Sequence, residues 1–207
     1  TEIYTLSLHD ALPISSGNIG IGYQALRDIS SSNYSVAIGY NAAENITSGG
    51  SSVAIGQSAL DLATTGTTNT AVGKNAGDSI TTGSNNTCIG NAADSSSATV
   101  SNEFTLGDSS ISSLRCQVQT ISSLSDRRDK KDIEELPIGI DFINTLKPVK
   151  FTWNMRDGAK VGQQEAVFIA QDLDESQIDA GAEDYLSLVL KNNPEKLEAS
   201  YGKLVPV

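Results

Sequence analysis

Apolar and polar positions between residues 15 and 110 recur on a fixed interval of 17. A glycine preceded by a branched aliphatic residue returns as Ile21-Gly22, Ile38-Gly39, Ile55-Gly56, Val72-Gly73, Ile89-Gly90 and Leu106-Gly107, without one insertion. Three residues after the first five glycines stand Ala25, Ala42, Ala59, Ala76 and Ala93; seven after the first four stand Ile29, Ile46, Ala63 and Ile80. Ten after three of them stand Gly49, Gly66 and Gly83. Fixed apolar slots at a fixed period are the mark of one structural unit stacked on its neighbours, each burying against the next a face it cannot bury alone.

Runs such as Ser35-Val36-Ala37-Ile38 and Ser52-Val53-Ala54-Ile55 are short and β-branched, and Gly, Asn, Ser and Thr bound them. This predicts a strand and turns in every repeat. Seventeen residues are too few for two packed helices, so a narrow β-coil is expected. Its buried slots hold Ala, Val and Ile, and Phe104 is the only Phe of the repeats. One coil alone is therefore expected to bury little apolar area, at about 25 cal/mol per Å², and three chains wound together are expected to supply the rest. SVAIGYNAA, SVAIGQSAL and NTAVGKNAG resemble the head repeats of trimeric adhesins and the NTAVGxNA-like repeats of many phage tail fibres. The resemblance implies a mainly β rod, trimeric and β-solenoid-like.

Thr64, Thr65, Thr81, Thr82, Asn85 and Asn86 are read as turn residues, which is what exposed turns require, although a glycan or an ice lattice could also meet such a face. A calcium-binding repeat needs carboxylates at regular positions. The Asp residues are not read as keeping one register, and no metal or cofactor is expected. Cys88 occupies a slot that other copies fill with Ala and is read as a small core residue. It and Cys116 are too few for a disulfide framework. The formal charge of −11 argues against a nucleic-acid partner, which draws on clustered Lys and Arg. No run approaches the roughly 18 apolar residues of a membrane helix, so no membrane partner is expected.

The first 14 residues, TEIYTLSLHDALPI, resemble a translated sequencing adapter and are set aside as a scar. His9, the only histidine, goes with them. Charge density then divides the remaining chain. Residues 15–124 hold three Lys or Arg and seven Asp or Glu, against eleven and sixteen in the shorter stretch 125–207. The expected organisation is an adapter-derived segment 1–14, a β-repeat region 15–111, an extended connector 112–124 with loose alternation at Leu114, Cys116 and Val118, and a small α+β domain 125–207.

In that last segment Pro137 suits the first turn of a helix. Ile138, Phe142, Ile143 and Leu146 lie at helical spacing, and Pro148 ends the run. Val149, Phe151 and Trp153 alternate with Lys150 and Thr152 as in a half-buried strand, and Trp153 and Phe168 are read as core. The order Ser125-Asp126-Arg127-Arg128-Asp129-Lys130, a helix ending in Leu146-Lys147-Pro148-Val149, an aromatic strand, and Val167-Phe168-Ile169-Ala170-Gln171-Asp172-Leu173 resembles the endosialidase-type intramolecular chaperone family. Its members close phage tailspikes and fibres, drive their trimerisation and then cut themselves off. Two features depart from the family: Asp129 stands where many members carry an apolar residue, and the last helix expected after Tyr201-Gly202-Lys203-Leu204 is cut off at Val207.

Without a genuine histidine, a serine nucleophile needs another base. Lysine serves when burial or like charges favour its neutral form, and Ser-Lys pairs are a variant of the nucleophile and base pairing. The resemblance implies Ser125 as nucleophile, Lys130 as base and Leu124-Ser125 as the scissile bond. On a helix an offset of five residues sets two side chains about 140° apart, so the pair needs a turn, or an approach across a subunit boundary. Arg127, Arg128 and Lys131 are candidates to favour the neutral amine, and Asp126 is a candidate to orient it. The reading is a phage tail fibre or tailspike of the virion: a homotrimer with a single-turnover self-cleaving serine endopeptidase, able to meet a host receptor or glycan. A bacterial trimeric surface adhesin and a structural fibre with a cleavage-inactive chaperone are the rival readings.

Overall fold

The computed structural model describes residues 16–117, 124–156, 158 and 160–204. The adapter-like residues 1–14, Val118 of the connector and residues 205–207 lie outside them. The chain forms two compact units, one ending at Ser110 and the other beginning at Ile111.

The first unit is a parallel β-solenoid of about five turns. Each repeat contributes one three-residue strand: β1 (Ile19–Ile21), β2 (Val36–Ile38), β3 (Val53–Ile55), β4 (Thr70–Val72), β5 (Thr87–Ile89) and β6 (Phe104–Leu106). They pair in sequence order, so that Ile38 lies beside Ile55 and Ala54 beside Ala71. The glycine after each strand turns the chain. Gly56 has φ +133°, and a Cβ there would come within 2.3 Å of the Gly73 carbonyl oxygen, so both the dihedral and the rung spacing demand glycine.

One chain closes this coil around an interior of its own. Leu60, Ile46 and Ile80 are sealed from solvent along with Ala42, Ala59, Ala76 and Ala93. The middle residue of β2, β3, β4 and β5 points inward, which buries Ala37, Ala54, Ala71 and Cys88. The branched residue before each glycine points outward instead, and Ile38, Ile55 and Ile89 remain 37 to 39% exposed. The alternation of side chains along a strand dictates this, since a buried middle residue puts both neighbours on the other face.

Polar groups inside the coil form their own ladder. The Ser52 hydroxyl accepts from the Asn69 amide at 3.1 Å, Asn69 Oδ1 from the Asn86 amide at 3.0 Å, and Asn86 Oδ1 from the Glu103 amide at 3.0 Å. Carboxylates do share a register, in contrast to the sequence reading. Glu44, Asp61 and Asp78 stand at the same repeat position, 17 residues apart. Burial pushes the Asp61 and Asp78 carboxyls above the ordinary carboxylate range. Arg27 heads the column and forms an ion pair with Glu44.

The second unit is a small α+β fold. Helix α1 (Ile140–Ile143) is shorter than the predicted helix, because Gly139 at its N-cap has non-helical backbone and offers no side-chain cap. Pro137 therefore stays outside it. Strand β7 (Val149–Thr152) pairs antiparallel with β8 (Gln164–Val167), Val149 opposite Val167. Helices α2 (Ala170–Asp179) and α3 (Glu183–Leu186) follow, and β9 (Val189–Leu190) pairs antiparallel with β10 (Glu198–Ala199). The core gathers Phe142, Leu173, Ala182, Leu186, Leu188 and Val189, with Phe168 packed on its margin. Trp153 does not join it. This ring meets Phe151 edge-on, its Nε1 donates to Glu165, and Lys160 lies over its face.

Candidate functional site

Residues 125–130 flank a single turn of 3-10 helix, Arg127–Asp129. Three consecutive charged residues have little tendency to nucleate a helix in water, and here the turn is fixed at both ends by hydrogen bonds. Asp126 adopts extended backbone at the N-cap, and its Oδ1 accepts from the Arg128 amide at 2.9 Å. The Asp129 amide donates to the Asp126 carbonyl at 3.2 Å. At the far end Lys130 returns to extended backbone while its amide donates to the Arg127 carbonyl at 3.2 Å.

Extended residues on both sides of one tight turn bring Ser125 and Lys130 together. Lys130 Nζ donates to Ser125 Oγ at 2.7 Å. Of the two routes that spacing left open, a turn or a subunit boundary, the turn accomplishes the contact within one chain. Both side chains are exposed, as is Leu124 on the N-terminal side of the serine.

Asp126 does not reach the lysine. Its carboxylate takes the Arg128 guanidinium through Nε and through NH2, the latter at 2.6 Å. These bonds hold its carboxyl below the ordinary carboxylate range, the Arg128 side chain contributing most and the Arg128 amide next. Arg128 is thus engaged with Asp126, and Lys131 lies 3.7 Å from Asp132. The capping role of Asp126 has a sequence signal, an Asp directly before a helical turn.

A groove of about 790 Å³ runs between α1 and α2, lined by Phe142, Asp172, Glu175 and Asp179 among others. Neither Ser125 nor Lys130 borders it. Among the described residues no three His, Cys, Asp or Glu side chains gather as a metal site.

Residues 125–182 match the family model described as chaperone of endosialidase. The segment that opens with the Ser125 and Lys130 contact is an endosialidase-type chaperone domain. The compact unit continues past the match, since Leu186, Leu188 and Val189 complete its core. Neither the curated proteins nor the solved structures gave a match to this chain.

Proposed function

We propose that this chain belongs to a homotrimeric phage tail fibre or tailspike whose C-terminal unit promotes assembly and then releases itself by cutting the Leu124-Ser125 bond. The observation that carries the reading is the 2.7 Å contact between Lys130 Nζ and Ser125 Oγ inside the family-matched segment. A serine held against a lysine amine has the components of nucleophile and base.

The position of the serine sets the chemistry. Ser125 stands on the C-terminal side of the bond it would cut, so its Oγ attacks the carbonyl carbon of the residue before it. A C-O bond forms and the hydroxyl proton passes to neutral Lys130. The Leu124-Ser125 C-N bond then breaks, and the lysine ammonium returns that proton to the Ser125 nitrogen. Water hydrolyses the resulting ester, leaving a Leu124 carboxylate and a Ser125 with free amine and hydroxyl. Removing Lys130 from solvent favours its neutral form. Contacts made on assembly would supply that burial and so make cutting follow trimerisation.

The rod offers a surface for such assembly. Ile21, Ile38, Ile55, Ile89 and Leu106 form an exposed apolar column along one outer face, the kind of continuous patch that marks an interaction site. The same rod carries the likeness to fibre repeats, and a virion location rests on that likeness together with the chaperone domain.

The test is to express the chain joined after Val207 to a trimer-forming coiled coil. The expected result is a trimer that releases a piece whose N-terminal residue is Ser125, as read by intact mass and end sequencing. Ser125→Ala and Lys130→Ala should assemble and stay whole. An uncut parent trimer would overturn self-cleavage and leave a structural fibre or an adhesin, and unchanged cutting in Lys130→Ala would identify another group as the base.

A further inference from the structure

The 3-10 turn between Ser125 and Lys130 is exposed throughout, and none of its residues is buried. Apolar packing does not hold it, so its shape depends on the hydrogen bonds at its ends. Two of those bonds are backbone to backbone and close only once the turn has formed. The remaining one comes from a side chain. Asp126 Oδ1 takes the Arg128 amide, one of the orphan donors of a helix start, and the same carboxylate is clamped by the Arg128 guanidinium.

We propose that Asp126 is a positioning residue for the Ser125-Lys130 pair: its capping oxygen closes the turn that delivers the Lys130 amine to the Ser125 hydroxyl. This rests on the reading of Ser125 and Lys130 as the reacting groups. The role differs from charge pairing with the lysine, because every side-chain bond of Asp126 goes to Arg128. Capping and charge also make opposite demands on substitution. Asparagine caps as well as aspartate without the charge, whereas alanine supplies neither cap nor charge.

The test reads the geometry without requiring cleavage. In the full chain Ser125→Cys places a thiol against Lys130, and Cys116→Ser removes the other exposed thiol. Cys88 does not compete, since it is buried and its thiol is pushed up to about 11 by that burial. The rate of alkylation by iodoacetamide is followed across pH by mass. An adjacent ammonium favours the thiolate, so Lys130→Met should raise the midpoint by about one pH unit. Asp126→Ala should also raise it, by less than Lys130→Met, because a neighbouring negative charge is lost along with the cap. Asp126→Asn should leave it at or slightly below the parent value, because the cap is kept while a neighbouring negative charge is lost.

A midpoint unmoved by Asp126→Ala, with Lys130→Met shifting it, overturns the positioning role and leaves the pair intact. A shift in Asp126→Asn equal to that in Asp126→Ala overturns it in favour of charge. A midpoint indifferent to Lys130→Met shows that the pair itself does not form, which removes the proposed cleavage as well.

Discussion

Leu60 and Ala63 divide the interior of one rung between them, the large side chain standing where the adjacent rungs carry Ala43 and Gly77, and the small one where they carry Ile46 and Ile80. All six positions lie in the one continuous buried core of the rod or, for Gly77, directly against it. A Cβ on Gly77 would meet the Leu60 side chain at 2.9 Å, so the Leu of one rung fills the space its neighbour leaves. Over these three rungs a large side chain at one slot goes with a small one at the other, as close packing of neighbouring rungs requires.

From this exchange follows a pair of stabilities. Leu60→Ala empties the rung and should cost about 2 to 5 kcal/mol, the range for a fully buried leucine. Adding Ala63→Ile copies the arrangement of the rung below, Ala43 with Ile46, and should recover at least half of that loss. Denaturant unfolding of the parent and both variants measures the difference. A double variant no more stable than Leu60→Ala would mean that the slots are not interchangeable.

The Asn69 side chain bonds twice to the rung that follows it. Its Oδ1 accepts from the Asn86 amide at 3.0 Å and its Nδ2 donates to the Gly83 carbonyl at 2.8 Å, all within the buried interior. Truncation to Ala strands both backbone groups away from water, at about 1 to 3 kcal/mol each. Asn69→Ser should cost less, because Ser52 already fills the equivalent slot one rung earlier and accepts the Asn69 amide through its hydroxyl. Thermal unfolding followed by circular dichroism ranks the three chains, and equal melting of Asn69→Ala and parent would show that water replaces the ladder.

The carboxylate column gives the rod a pH dependence of definite sign. Burial raises Asp61 above its ordinary value of 3.8, with Arg27 opposing, and burial followed by the charges of Asp94 and Asp61 raises Asp78. A carboxyl raised in the folded state binds its proton more tightly there than in the unfolded chain. Folding is therefore favoured as pH falls through the raised values, and the gain is complete below the ordinary one. Asp28, held low by its hydrogen bond to Arg27, acts in the opposite direction in parent and variant alike. The double variant Asp61→Asn, Asp78→Asn should melt higher than the parent at pH 7 and lack the stabilisation that the parent gains as pH falls toward the ordinary carboxylate value of 3.8. Parallel curves of melting temperature against pH would rule the column out as the source.

Much of this molecule was legible because its signals are local or periodic. The interval from Gly22 to Gly107 set the rung length, and β-branched triplets such as Val53-Ala54-Ile55 set the strands. The pattern did not disclose which face was inside. Ala54 and Ile55 are both apolar, and the choice fell to the smaller residue because a coil this narrow has no room for a branched side chain at every strand centre. In the second unit the periodicity of Ile138, Phe142, Ile143 and Leu146 found an apolar face but overstated the helix, since Gly139 interrupts it. The meeting of Ser125 and Lys130 was legible as spacing alone. The turn that produces it depends on the Asp126 cap, and the sequence reading had turned that carboxylate toward the lysine.

The outward branched column makes the last prediction. Ile38, Ile55 and Ile89 point away from the coil interior and stay partly exposed, whereas Ala37, Ala54 and Cys88 are sealed inside it. Charged replacements there should leave the fold standing and abolish only what covers the face. In the proposed trimer, Ile55 and Ile89 of each copy would be desolvated beside those of the others, and three lysines converging at each level cost burial and mutual repulsion together. The variant Ile55→Lys, Ile89→Lys should therefore keep the circular dichroism and cooperative melting of the parent. Light scattering should give a trimer for the parent rod and a monomer for the variant. If the variant remains trimeric, assembly uses another face; if it loses its β signal, those isoleucines hold the coil itself and the outward column is not an interface.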